Sequence, residues 1–339
     1  MELLNFNIRQ YFKNKKNKNT LYEKIIFIIT LSLFLIYNKR NSYNFDIKNI
    51  SKFNHNDLCT FEFHKYQRYL ITDKILKYSY IEQIGNEPYF LNGIIRKFKP
   101  QKCLEIGIAR GGSSVVILNA IKDINNSFLI SLDINDNLYI NKNNKTGFVV
   151  KKYFPELYNN KWHLFTGRQP HIFLSKLKLK FDFVFLDTIH LSPGELFNFI
   201  EVLPFLEDNA IIVLHDITFH FPSKNYYTTK LIKYHPSQIL LMTSLMGDKI
   251  IIPEPEIGLE NIGAILLFPN QERYYLNYFL LLLTPWEYLP DEIHLKELRL
   301  FVKKYYKKNL YLKLFDKSVS ENRLYIEKQK NLSIYLNSF

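Results

Sequence analysis

The amino-acid sequence predicts a doubly wound α/β fold. Three observations carry that reading: a series of short apolar runs, gaps between them long enough for helices, and a glycine-rich turn after the first run. In chain order, EPYFLNGIIRKFKP (87–100) places Tyr89, Phe90, Gly93, Ile94 and Phe98 near helical spacing, and Pro100 ends the helix. The runs KCLEIG (102–107), FLISLDI (128–134), WHLFTG (162–167), FDFVFLD (181–187) and AIIVLHD (210–216) follow. They are apolar on successive residues, so both faces must be covered, which is the pattern of parallel strands lying between two helical layers. Either Gln238–Thr243 or Lys249–Ile252, together with GAILLFP (263–269), supplies the final strands. After Pro269 the chain reads as aromatic helices, through RYYLNYFLLLL and LRLFVKKYYKK. Leu276–Leu283 is too short to span a bilayer and is expected to be a buried helix. No internal repeat and no Gly/Ser or Pro-rich linker interrupts the pattern.

Composition narrows the function. With 339 residues and 47% apolar content the chain can fill a large core and is not disordered. Its formal net charge of +13 invites a nucleic-acid or anionic-membrane partner. The excess of Lys accompanies an excess of Asn, Ile, Tyr and Phe throughout, as a coding bias produces. The tightest basic clusters, Lys13, Lys15, Lys16 and Lys18 and then Lys303, Lys304, Lys307 and Lys308, read as solvated faces. Nucleic acid is therefore not expected as a partner. Cys59 and Cys103 are too few for a disulfide framework or a cysteine zinc site, so a reducing, cytoplasmic setting is expected. There is no cleavable signal pattern. The charge-free run IIFIITLSLFLIY (25–37) falls short of the ~20 residues of a comfortable span and has Lys24 before it and Lys39 and Arg40 after it. A span with a cytoplasmic N-terminus would carry the rest of the chain away from a cytosolic ligand. The run is therefore read as a peripheral helix on the inner face of the membrane, or as a helix packed on the main domain, with a true span as the less favoured alternative.

The turn itself is CLEIGIARGGSS (103–114). Gly107, Gly111 and Gly112 allow close backbone approach, and Ser113 or Ser114 is suited to cap the helix that follows. Ala109 breaks the G-x-G-x-x-G spacing of dinucleotide turns, and the Lys of a phosphate loop is missing. Glu105 repels a diphosphate but suits a ligand carrying an ammonium and a sulfonium, as S-adenosylmethionine (SAM) does. Asp133 ends the second strand, where a carboxylate accepts ribose hydroxyls. The plainer alternative has Glu105 capping local amides and Asp133 opening a turn.

Asp187 and Asp216 end two strands expected to be neighbours, so both point into one crevice and together suit Mg²⁺ as an optional cofactor. Such a metal would lower the pKa of a substrate hydroxyl and orient it. His190, three residues after Asp187, is placed to take the hydroxyl proton. Asp187 has a second reading, in which it binds the ligand's ammonium. His215 or His220 could complete the metal's shell, but His215 is read in preference as a core histidine bonded to backbone, and His220 as a surface-loop residue. The segment 141–161 and the aromatic helices after Pro269 are expected to surround the opening. Trp162 and Trp286 are read as core rather than as platforms for sugar rings.

The motifs LEIGIARGGSS, SLDIND, FVFLDTIH and IIVLHD resemble those of class I SAM-dependent methyltransferases. The likeness is closest to the small-molecule O-methyltransferase branch, which includes catechol-type and macrolide-sugar enzymes and whose first motif reads E-x-G-x-x-x-G-x-S. It covers about Pro88 to Pro269. The resemblance implies a Rossmann-like methyltransferase fold, a seven-stranded, mostly parallel sheet whose last strand is antiparallel, here with helical N- and C-terminal extensions. It implies a cofactor set of Glu105, Gly107, Gly111, Ser113, Asp133, Gln169 and Asp187. Glu105 and Gly107 would lie near the methionine portion, Asp133 on the ribose, and Gly167, Arg168 and Gln169 near the adenine. It matches Asp187 to a metal-binding Asp, His190 to a basic catalytic residue and Asp216 to the first member of an Asp-Asn pair, with Ile217 standing where the amide is expected. The expected domains are an appendage over 1–60, a SAM-binding methyltransferase domain over 61–269 and a helical extension over 270–339. The expected activity is methyl transfer from SAM to a hydroxyl of a sugar, glycan precursor or related small molecule. The rivals are an NAD-dependent sugar oxidoreductase or epimerase and a non-enzymatic, basic, membrane-associated binding protein.

Overall fold

The computed structural model describes residues 72–79, 83, 85–158, 160–217, 237–251 and 261–337, with side chains described as far as 329 and not at 239. The apolar run 25–37, the rest of the appendage, Cys59 and His220 lie outside these residues. Two helices, α1 (Asp73–Ser79) and α2 (Glu87–Phe98), precede the sheet. Then β1 (Lys102–Ile106), α3 (Gly112–Ile121), β2 (Phe128–Asp133), α4 (Phe148–Tyr153), β3 (Trp162–Thr166), α5 (Pro170–Leu177), β4 (Phe181–Leu186), α6 (Gly194–Val202) and β5 (Leu206–His215) alternate strand with helix. The chain closes with α7 (Ser237–Ser244), β6 (Gly247–Ile251), β7 (Ile262–Leu267), α8 (Tyr275–Leu281), α9 (Glu292–Tyr305) and α10 (Asn309–Asn337).

The seven strands form one sheet in the order β3-β2-β1-β4-β5-β7-β6. The first five run parallel, and β7 is antiparallel to both β5 and β6. This is the sheet expected from the resemblance. The order reverses between β1 and β4, so the helices of the two halves splay apart there and leave a crevice at the carboxyl ends. The register brings several chain ends to one level, because Ile106 lies opposite both Leu132 and Leu186, and Leu186 opposite Leu214. Gly107, Asp133, Asp187 and His215 each come next.

Strand alternation explains why each run is apolar throughout. Phe183 and Phe185 of β4 join a core with α1, α2, α3 and α4, whereas Val184 and Leu186 join a core with α5 to α10. Trp162 and Trp286 are buried, and their indole N–H groups donate to Ser131 Oγ and to the Leu282 carbonyl at 2.9 Å. Both are core residues, as read. The run 238–243 is a helix, α7, and the sixth strand is β6. A short run apolar on all sides fits a buried helix as well as a strand, and here Leu241 and Met242 pack beneath the sheet. Strand β5 begins at Leu206, earlier than its apolar run, because Glu207, Asp208 and Asn209 carry it outward to solvent. The segment expected as a buried helix is helical from Tyr275 to Leu281 and turns at 282–283, with Tyr278, Phe279 and Leu282 in the core. No helix of the described residues is long and apolar enough to cross a membrane.

Candidate active site

The glycine turn is shaped by contact with β4. Gly107 has φ 88°, and a Cβ there would overlap the carbonyl oxygen of Asp187. Only glycine lets β1 leave the sheet so close to that backbone carbonyl. Gly111, at φ 98°, packs against Gly147. The next layer is laid over the turn by two backbone bonds, Gly147 N to Ala109 O at 2.9 Å and Val149 N to Arg110 O at 3.0 Å.

Glu105 is fully buried under this turn. Ser113 Oγ donates to its Oε1, and Ser114 Oγ and Ser131 Oγ to its Oε2, all at 2.6 Å. Burial raises its pKa to about 7, a rise the three serine hydroxyls oppose and the charge of Asp187 reinforces. The serines therefore do not cap α3, whose N-cap is Gly111 without a side-chain bond. A buried carboxyl group needs donors more than an exposed helix end does, and the hydroxyls go to it. Asp133 Oδ2 accepts from Ile108 N and Ala109 N at 3.0 and 3.3 Å, and Oδ1 accepts from Asn135 N at 2.8 Å. It ties β2 to the turn while staying partly exposed. Gly167 N reaches the Asp133 carbonyl, and Gln169 stands just beyond as the N-cap residue of α5, partly exposed.

The ends of β4 and β5 hold the second half of the site. His190 Nε2 lies 3.2 Å from Asp216 Oδ2 and 3.8 Å from Asp187 Oδ1. His190 and Asp216 are both in left-handed backbone, at φ 58° and 53°, which aims the two side chains at one point. Gln238 of α7 contacts His190 Nδ1 at 3.0 Å, and the His190 amide donates to buried Glu195 at 2.6 Å. Burial holds the Glu195 pKa above its ordinary value, against His190's charge and these bonds.

His215 is buried, as read, but its partners are carboxylates, not backbone. Its Nε2 lies 2.9 Å from Glu87 Oε2 at the start of α2. Its Nδ1 sits 3.3 Å from Asp187 Oδ2 and 3.4 Å from Asp216 Oδ2, close enough for charge attraction, though neither contact has hydrogen-bond alignment. Burial disfavours the imidazolium, yet Asp216, Asp187 and Glu87 together raise its pKa well above the usual range. For Asp216 burial acts upward, and His215, His190 and a bond from Asn261 outweigh it, holding the carboxyl well below its ordinary pKa. Asn261 Nδ2 donates to Asp216 Oδ1 and to Glu87 Oε1, both at 2.8 Å. An amide thus does reach Asp216, from the start of β7 instead of position 217, and Ile217 turns into the core.

Asp187, His190 and Asp216 each offer a ligand atom within 4.8 Å of the others. Two carboxylates and an imidazole fit a divalent cation, and the nitrogen donor widens the choice beyond Mg²⁺ to borderline metals such as Mn²⁺. Three carboxylates, those of Glu87, Asp187 and Asp216, face a single buried imidazolium together with His190, so the pocket favours positive charge. The structure brings Asp187, His190, Asp216, Glu105 and Gly107 around one crevice, with Asp133 and Gln169 along its β2–β3 side. The sequence reading missed Glu87, Asn261, Gln238 and Glu195. Glu87 reads locally as an acid complementing a helix start, and Asn261 as turn chemistry before a strand.

Residues 104–217 match the family model described as a methyltransferase domain. No curated protein matches the chain. Among solved structures, the O-methyltransferase TomG of Streptomyces achromogenes, from tomaymycin synthesis and in complex with SAM, is similar at 14% identity, covering 61% of this chain and 97% of its own, with a TM-score of 0.43. The O-methyltransferase from Bacillus cereus in complex with SAH is similar at 12% identity, over 60% of this chain and 97% of its own, TM-score 0.43. MycE, a methyltransferase of mycinamycin biosynthesis in complex with Mg, SAH and mycinamycin VI, is similar at 15% identity, over 60% of this chain and 55% of its own, TM-score 0.39. Residues 104–217 thus carry the match to a methyltransferase domain, and they lie in a seven-stranded sheet with an antiparallel β7, the arrangement that the motifs' resemblance implies.

Proposed function

We propose that the chain transfers a methyl group from SAM to a hydroxyl of a small organic acceptor, a sugar, a glycan precursor or a related molecule. The observation that carries this reading is the carboxylate-rich centre of Asp187, His190 and Asp216 beside the Gly107 turn, at the point where the strand order reverses. A centre of net negative charge suits a sulfonium cofactor and repels a dinucleotide's diphosphate. The amides of Ile108 and Ala109, which a diphosphate would use, are instead occupied by Asp133. Asp133 would release one of these bonds to take the ribose hydroxyls, Gln169 would border the adenine, and Glu105 acts from beneath by fixing the turn through Ser113.

In this mechanism His190 removes the acceptor's proton at Nε2 as the methyl group moves in line to the oxygen. The Gln238 amide can present its carbonyl to Nδ1–H, leaving Nε2 as the free base, and Asp216 then stabilises the imidazolium that forms. His215 holds the Asp187 and Asp216 carboxylates in place through charge. A divalent cation held by Asp187 and Asp216 would polarise the same hydroxyl and leave His190 Nε2 free as the base. Ile134, Tyr139, Ile140 and Ile189, beyond the ends of β2 and β4, expose apolar surface, which suits an acceptor with both apolar and hydroxylated parts. Cytoplasmic residence follows from the use of SAM, and a peripheral membrane contact through 25–37 remains part of the proposal.

Calorimetry with S-adenosylhomocysteine tests the cofactor. Wild type is expected to bind it, and Asp133→Ala to bind at least tenfold more weakly. Wild type that binds NAD but not S-adenosylhomocysteine would overturn the reading. His190→Ala is expected to keep cofactor affinity and to lose ~10²–10⁴ in turnover, measured as methyl transfer to a hydroxyl acceptor panel.

A further inference from the structure

A second cluster of metal-ligating side chains lies on the opposite side of the molecule's chemistry, beneath the sheet among α5, α6 and α9. His171 opens α5, Glu201 lies near the end of α6, and His294 is in the first turn of α9. One ligand atom from each lies within 4.8 Å of the others. Glu201 is fully buried, and the side chains of His171 and His294 are 6% and 12% exposed. His171 Nδ1 meets Glu201 Oε1 at 2.6 Å, and His294 Nε2 stands 3.7 Å from that same oxygen. None of these residues belongs to the crevice. Glu201 sits seven residues along α6 from its start at Gly194, about 10 Å at the rise of an α-helix.

The arrangement leaves polar atoms unsatisfied. His171 Nε2 and His294 Nε2 are buried without a hydrogen-bond partner among the described residues. Of these, His294 Nε2 stands beside the buried Glu201 carboxylate, and leaving it unpaired there is costly unless something bridges the two. Surrounding groups are placed as metal-site supports are. Asn198 Nδ2 donates to Glu201 Oε2 at 3.2 Å, fixing the carboxylate. Glu297 Oε2 faces His171 Nε2 at 3.8 Å, on the ring nitrogen away from Glu201. A ligating histidine commonly offers its second N–H to a carboxylate, and Glu297 is the carboxylate on that side of His171, beyond hydrogen-bond distance as it stands.

We propose that His171, Glu201 and His294 bind a zinc-class divalent cation that pins α9 to α5 and α6. His171 binds through Nδ1, His294 through Nε2 and Glu201 through Oε1, with a water in the fourth position. Two imidazoles and one carboxylate are the donor set of zinc and its first-row neighbours, not of Mg²⁺ or Ca²⁺. Ligands about 2.0–2.2 Å from a tetrahedral ion lie roughly 3.3 Å apart, so the His171–Glu201 contact opens by less than about 1 Å and the His294 contact closes by less. The site is sealed by α9, so its role is structural: it fastens the C-terminal helices to the core.

The test is metal analysis of the full-length protein after removal of metal with a chelator and titration with Zn²⁺. It is paired with thermal unfolding and with the absorption spectrum of the Co²⁺-substituted form. Wild type is expected to bind Zn²⁺, with one ion surviving Asp216→Asn, and to unfold at higher temperature with Zn²⁺ than without. His294→Ala and the milder His294→Asn are expected to weaken that binding more than about a hundredfold and to abolish the thermal shift. Circular dichroism shows whether each variant keeps its fold. Folded wild type that binds no Zn²⁺ overturns the proposal, leaving the cluster a proton-bonded triad. Zn²⁺ binding that is lost in Asp216→Asn but kept in His294→Ala also overturns it, by placing the ion in the crevice. Both results leave the methyltransferase reading intact, since that rests on cofactor binding.

Discussion

Glu105 shows how one residue is both legible and misread in a sequence. Its place before the glycine turn singles it out in the sequence, but its carboxyl group lies under the turn, held by Ser113, Ser114 and Ser131. Sequence spacing fixes which residues are near in the chain; it does not fix on which side of a turn a side chain lies. The burial has a pH signature. The folded pKa of about 7 stands above the ordinary 4.5, so the folded state holds this proton more tightly than the unfolded chain. Stability from this group is therefore full below pH 4.5, falls as pH rises towards 7 and is level beyond it. The shift corresponds to ~3 kcal/mol. Glu105→Gln removes the titration, so the variant's stability relative to wild type is expected to rise by up to ~3 kcal/mol between pH 4.5 and 8, measured by urea unfolding at several pH values. A difference independent of pH would mean that Glu105 is ionised throughout. His215 teaches the same lesson, since a lone apolar-flanked histidine predicts burial and says nothing of the three carboxylates around it.

At the scale of elements, strands β1 to β5 are legible because each is short, apolar and followed by a helix-length gap. The 238–243 run was ambiguous because a buried helix and a buried strand share an unbroken apolar pattern, and only packing beneath the sheet decides. The C-terminal helices read as aromatic and helical, but their contribution is tertiary. Phe315 of α10 is buried against Phe197 of α6, with ring centroids 5.9 Å apart, in the same core as β4 and β5. Tyr306, after α9, donates to the Ile200 carbonyl at 2.6 Å. Phe315→Ala is expected to cost ~3–5 kcal/mol and to lower the thermal midpoint by ~10 °C, whereas the exposed Arg299–Asp316 pair, broken by Asp316→Ala, costs under ~1 kcal/mol. Thermal scans of the two variants check the contrast. If they fell together, α10 would be held by surface charge and not by its buried face.

For the molecule as a whole, one sheet between two apolar layers sets the order of stability. β1, β4 and β5 have neighbours on both sides, while β3 and β6 are edges. Amide exchange followed by mass spectrometry is expected to be slowest in β1 and β4 and faster in β3 and β6, since an edge strand opens by breaking one ladder. The sequence by itself determined the first five strands and the glycine turn, and placed Asp133, Asp187 and Asp216 at strand ends with His190 just beyond, because short apolar runs and glycines are recognisable locally. Only the tertiary structure decided the company they keep. Glu87, Gln238 and Asn261 come from α2, α7 and the start of β7, far along the chain, and His171, Glu201 and His294 meet from three helices. Local pattern records which way a segment of chain folds, whereas electrostatic partnership depends on which segments the sheet's crossovers bring together.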